Sequence, residues 1–228
     1  MNQSPYMTFA GFSQKFVDLL FALRFSNTIE QVPAHRDQYK HLITEPLMLL
    51  FHNLLPTVTA ISPSIETRPS RCISTMFNDM RFSKESPIKE YMYLRFREPL
   101  HEKDVLGFYF DMGSDMYSYG IRIYKQTSAG MSLIRNDILQ REKAYTRALE
   151  QVYFMGMSIM GTRFAKDHYP DISNQTAKDL LNCRNFYIGT NKSLSEIVFN
   201  PTLVQEIATA YWGLKDIYGL LKEALYQT

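Results

Sequence analysis

An α+β fold is predicted by three features of the chain. Apolar residues recur at helical spacing between residues 12 and 54 and again after residue 126, whereas three segments between residues 91 and 124 alternate with a period of two. No internal repeat, charge block or low-complexity linker divides the 228 residues. The expectation is a single domain spanning residues 1–228, with an antiparallel β-meander of about four to six strands packed against N-terminal and C-terminal helices.

The first helix rests on Phe12, Phe16, Leu19, Leu20 and Leu23, with Ser13, Lys15, Asp18 and Arg24 on its other faces. A second apolar stripe runs through Val32, Tyr39, Ile43, Leu47, Leu50, Phe51 and Leu54. Pro46 lies inside that stripe and removes a helical hydrogen bond, predicting a kink or two abutting helices. Strands follow. "RCISTMF" (71–77) is expected to be the first, then "YMYLRFR" (91–97), "LGFYFDM" (106–112) and "YSYGIRIY" (117–124). In these, Met92, Leu94, Phe96, Phe108, Phe110, Tyr119 and Ile121 share an apolar face. Tyr91, Tyr93, Arg95, Arg97, Tyr109, Asp111 and Arg122 point the other way. Helices resume with Met131, Ile134, Ile138, Leu149 and Val152. "MGTRFAKDHYPDI" (160–172) is read as a polar turn, "AKDLLN" as a short helix and "RNFYIGT" (184–190) as a further strand. One C-terminal helix is expected from about Pro201 through Leu221.

Composition excludes several classes of function. With 45% hydrophobic and 21% charged residues the chain is an ordinary globular one, and a net charge of +2 gives no electrostatic case for nucleic acid or an anionic membrane surface. The longest apolar run, "PLMLLFHNLLP", is too short to span a bilayer, and the N-terminus lacks the pattern of a signal peptide, so a cytoplasmic location is expected. Cys72 and Cys183 are spaced as neither metal clip nor redox pair. The five histidines show no metal-ligand pairing, and His168 in "KDHYP" is read as an exposed loop residue. There is no glycine-rich phosphate loop and no G-x-S-x-G elbow. No metal and no organic cofactor are expected, and no reaction is assigned.

One polar segment stands out, "NDMRFSKESPIK" (78–89). Arg and Lys beside turn amides can cradle a phosphate or carboxylate. The same residues can instead form a solvated corner, with Asp79 and Ser83 bonding turn amides and Arg81 pairing with Asp79 or Glu85. Arg81 is expected to be held by a carboxylate, with Lys84 and Lys89 more exposed.

This segment resembles the signature of the bacterial family called domain of unknown function 2461, retaining Asp79, Arg81, Phe82, Ser83, Lys84, Pro87 and Lys89. The similarity extends through "FAGF" (9–12), Asn27, "HRDQY" (35–39), Pro46, "GFYFDM", "LIRNDI" (133–138), "KDHYP" (166–170), "RNFYIG" and "LLKEAL", covering about residues 9–225. The departures lie in the polar signature. Thr75 and Asn78 stand where the family has arginines, and Ile88 replaces a tyrosine, which marks a divergent member.

The resemblance implies no activity, and two readings follow from the residues. In one, Asp79, Arg81, Ser83, Lys84, Lys89 and Arg122 meet an anionic small molecule above a floor of Tyr91, Tyr93, Arg95 and Tyr109. In the other, the tyrosine-rich sheet face is a non-catalytic surface for a protein partner. Coverage of that face decides between them. An open face favours the ligand, and helices on both sides make its tyrosines core.

Overall fold

In the computed structural model, which describes residues 8–78, 87–99 and 102–226 and leaves out the side chains of 31–35, the N-terminal helices form much as their apolar stripes require. Ser13 caps α1 (Gln14–Leu23) by accepting a hydrogen bond from the Phe16 amide, which turns Phe16, Leu19, Leu20 and Leu23 inward. Helices α2 (Val32–Tyr39) and α3 (Glu45–Ile61) are joined by a π-helical turn at Lys40–Thr44. Pro46 therefore falls in the first turn of α3, where its missing N–H costs little.

The strand expected at 71–77 does not form. Residues Pro69–Cys72 are a single helical turn, α4, after which Ile73 and Phe77 make only isolated bridges to Leu94 and Ile88. Glu66 is the reason. Its carboxylate accepts from the Thr67 and Arg68 amides and from the Arg68 guanidinium, and the Cys72 thiol donates to its carbonyl. These bonds commit the backbone to a turn.

The meander itself is as expected, with β1 (Met92–Arg97), β2 (Val105–Met112) and β3 (Met116–Tyr124) in antiparallel register. Helices α5 (Ser128–Gln140) and α6 (Glu142–Phe154) follow, then β4 (Ser158–Arg163), α7 (Gln175–Leu181) and β5 (Cys183–Ser193). Strand β4 corrects the reading of 160–172 as a turn from its start. It is an edge strand in which only Ile159 is buried, so it carries no one-sided apolar signal. Gly156, at φ +73°, ends α6 and directs the chain into it. The five strands pair antiparallel in the order β1-β2-β3-β5-β4.

The expected C-terminal helix is two, α8 (Thr202–Gly213) and α9 (Lys215–Tyr226). The break lets Tyr211 of α8 and Tyr218 of α9 both reach Phe108, with ring centroids 4.7 and 4.5 Å away. On the same sheet face Phe12 stacks on Phe110 and Phe51 of α3 stacks on Phe96. Helices α5 and α7 pack against β5, where Phe186 and Ile188 are buried. One apolar core results, on one side of one sheet.

Candidate functional site

The other side of the sheet carries the polar half of the alternation. Register places Arg95 opposite Tyr109 and Tyr93 opposite Asp111. It places Gly120 opposite Tyr109 and, across the next ladder, Gly120 opposite Gly189 and Arg122 opposite Tyr187. The two glycines make a flat floor on which the Tyr109 ring lies. A Cβ on Gly189 would come within 2.8 Å of the Tyr109 hydroxyl and 2.2 Å of the Tyr119 carbonyl oxygen.

Aromatic rings hold both arginines on this floor. The Arg122 guanidinium sits 5.0 Å from the Tyr109 ring and 4.8 Å from the Tyr187 ring. The Arg95 guanidinium lies 3.7 Å over Tyr93 and 5.4 Å from Tyr124. Such contacts contribute about 0.5–2 kcal/mol each and use the guanidinium faces, leaving the N–H edges available for hydrogen bonds.

Four polar atoms of this cluster are buried without a hydrogen-bond partner among the described residues: Arg95 Nε, Tyr109 Oη, Asp111 Oδ1 and Tyr124 Oη. Buried polar atoms are rarely left so, and four on one face form a concentration that the fold alone does not require. Burial pushes the Asp111 carboxyl upward and outweighs the downward pull of Arg95 and Arg122. Burial likewise pushes the Tyr109 and Tyr124 hydroxyls far up, so both stay protonated donors. The cluster lies between two openings. A cavity of about 360 Å³ at one end is lined by Arg24, Glu90, Tyr91, Asp111 and Asp115. One of about 290 Å³ at the other is lined by Arg97, Glu98 and Tyr124.

Of the residues expected from sequence, Arg122 takes its place in this cluster. Lys89 lies at its edge, 5.4 Å from the Tyr93 ring. The expectation that it is exposed is corrected: it is buried, 9% accessible, and its ammonium donates to the Thr75 carbonyl at 2.8 Å and hydroxyl at 3.0 Å. Burial, then Arg95, lowers its pKa. Asp79, Arg81, Ser83 and Lys84 lie outside the described residues, so the pairing expected for Arg81 does too. The base of their turn is described: Phe77 bridges Ile88 beside β1, and Asn27 accepts from the Ile88 amide and donates to its carbonyl. Sequence reasoning gave no role to Asp111, Tyr124 or Tyr187. Parity along β2 and β3 could have found the first two, whereas Tyr187 required the β3–β5 register.

Cys72 and Cys183 are both buried and unbonded to each other, and burial pushes the Cys72 thiol up to about 12. His168 is exposed and stacks on Phe164. Among the described residues no group of three or more His, Cys, Asp or Glu is arranged to hold a metal ion. No described helix is long and apolar enough to cross a membrane.

The chain belongs to the family of conserved hypothetical proteins DUF2461, whose pattern matches residues 15–219. No curated protein matches it.

Proposed function

We propose that the chain binds a small anionic molecule on the polar face of its sheet, with Arg95 and Arg122 as the charge-bearing groups. One observation carries the reading: buried polar atoms of Arg95, Tyr109, Asp111 and Tyr124 lack partners among the described residues and converge where two guanidiniums are held by aromatic rings. An anion there gains charge-assisted hydrogen bonds from donors that have no partner among the described residues. The ring contacts of α8 and α9 with Phe108 of the interior strand β2 accord with the same reading, since they fall on the apolar side. A protein-partner surface is favoured less. Tyr109 is fully buried, so it offers no ring to a partner.

Titration calorimetry with inorganic phosphate tests the reading. Saturable one-to-one binding is expected from the wild type. Arg95→Met and Arg122→Met keep the apolar stems and remove the charges. Each should weaken binding roughly 10–100-fold, the equivalent of one charged hydrogen bond. Unchanged affinity in the double variant would place the anion elsewhere.

A further inference from the structure

Resting on that reading, we infer that the ligand group is a tetrahedral dianion, phosphate or sulfate in type, and that Asp111 takes up a proton from solvent as it binds. The donor count points to the class. Arg95 Nε and the Tyr109 and Tyr124 hydroxyls are unpartnered donors among the described residues, and the Arg122 guanidinium lies beside them against the Tyr109 and Tyr187 rings. A planar carboxylate has two oxygens to offer such a set, whereas a tetrahedral oxyanion exposes three or four. Asp111 is the exception among these donors. As a carboxylate it accepts only, and it would face the ligand with like charge. Protonated, it becomes one more donor, and the site charge from Arg95, Arg122 and Asp111 rises by one to match a dianion.

The two arginines decide the direction of proton flow. In the free protein burial pushes the Asp111 carboxyl up while Arg95 and Arg122 pull it down. An anion between the guanidiniums offsets that pull and adds repulsion, so the bound state holds the proton more firmly. The hydrogen sits on the carboxyl and is donated to a ligand oxygen. No covalent bond forms or breaks.

Among the described residues, the other charged and titratable groups about Asp111 do not supply this proton. Burial pushes the Tyr109 and Tyr124 hydroxyls up, so both already hold their protons. Lys89 is bonded to Thr75, and Arg24 pairs with Asp115 at 3.0 Å across the adjoining cavity. Among the described residues Glu90 and Asp115 are the further carboxyls lining that cavity, and with Asp115 paired to Arg24, Glu90 is the one to be controlled for.

Sulfate is the probe of choice because it stays a dianion between about pH 5.5 and 8, so any linked proton belongs to the protein. Titration at constant ionic strength should show affinity falling with pH, toward tenfold per unit over the window between the free and bound Asp111 pKa values. The heat should vary with buffer ionisation enthalpy, toward one proton taken up. Asp111→Asn should bind sulfate with no pH dependence, and Glu90→Gln should keep the wild-type slope. Acetate should bind at least about tenfold more weakly than sulfate, for want of oxygens to meet the donors. Wild-type binding without pH dependence, or a slope that survives in Asp111→Asn, would overturn the proton linkage. Acetate matching sulfate would overturn the ligand class. Sulfate failing to bind the wild type at any pH would instead overturn the anion site itself.

Discussion

Truncating Phe108 to alanine should lower unfolding free energy by about 3–5 kcal/mol, the range for removing a large aromatic from a core. Phe108 is fully buried at the centre of the sheet, stacked on Tyr218 at 4.5 Å and tilted against Tyr211 at 4.7 Å. The cavity left behind would be bounded by two further aromatic rings on helices α8 and α9. Each is anchored at its hydroxyl, Tyr211 to the Tyr109 carbonyl at 2.8 Å and Tyr218 to Glu98 at 2.7 Å. The walls therefore cannot close in readily. Urea unfolding monitored by circular dichroism measures the loss, and a change below about 1 kcal/mol would contradict the packing of both helices on β2.

Glu98→Ala should be almost as damaging, about 3 kcal/mol, for an electrostatic reason. The Glu98 side chain is 4% exposed and accepts from Ser62 at 2.6 Å, Ser64 at 2.7 Å, Tyr218 at 2.7 Å and Lys222 at 3.0 Å. Its removal leaves the Tyr218 hydroxyl without its acceptor and the Lys222 ammonium without its counter-charge, held by the Ser62 and Ser64 hydroxyls. Lys222 is one-quarter exposed, which moves the estimate to the lower end of the range for broken buried pairs. A pH dependence follows. Burial raises the Glu98 pKa, but hydrogen bonds from Ser62, Ser64, Tyr218 and Lys222 outweigh it and leave the folded value below the ordinary one. Stability from this group is thus present above the unfolded pKa and lost as pH falls through the folded value. Wild-type stability should decline below about pH 4.5, and Glu98→Ala should lose part of that decline. Equal acid sensitivity in both would contradict this role.

The strongly one-sided elements were legible in sequence. Strands β1 to β3 alternate cleanly because the aromatic core packs on one face and polar side chains fill the other, and the α1 stripe is likewise unambiguous. Strand β4 was not legible, for at the sheet edge it buries only Ile159. The α8–α9 break was hidden for the opposite reason: Ile207, Tyr211, Leu214, Ile217 and Leu221 are all buried and continue one stripe through it. The site was half legible. Alternation set Arg95, Tyr109, Asp111 and Arg122 on one face, but the polar signature that resembles the family's lies in the segment around Arg81. What distinguishes Asp111 is burial without a partner, and that is a property of three strands brought together. Tyr187 joins through a pairing more than sixty residues distant in sequence, which no local pattern encodes.

The site on the polar sheet face is tested most directly by a crystal grown near pH 6 in selenate, a sulfate analogue located by its anomalous scattering. A selenium peak is expected between the Arg95 and Arg122 guanidiniums, with an oxygen within hydrogen-bond distance of Asp111 and of the Tyr109 or Tyr124 hydroxyl. Selenate bound only elsewhere on the protein, with this face empty at saturating concentration, would contradict the account.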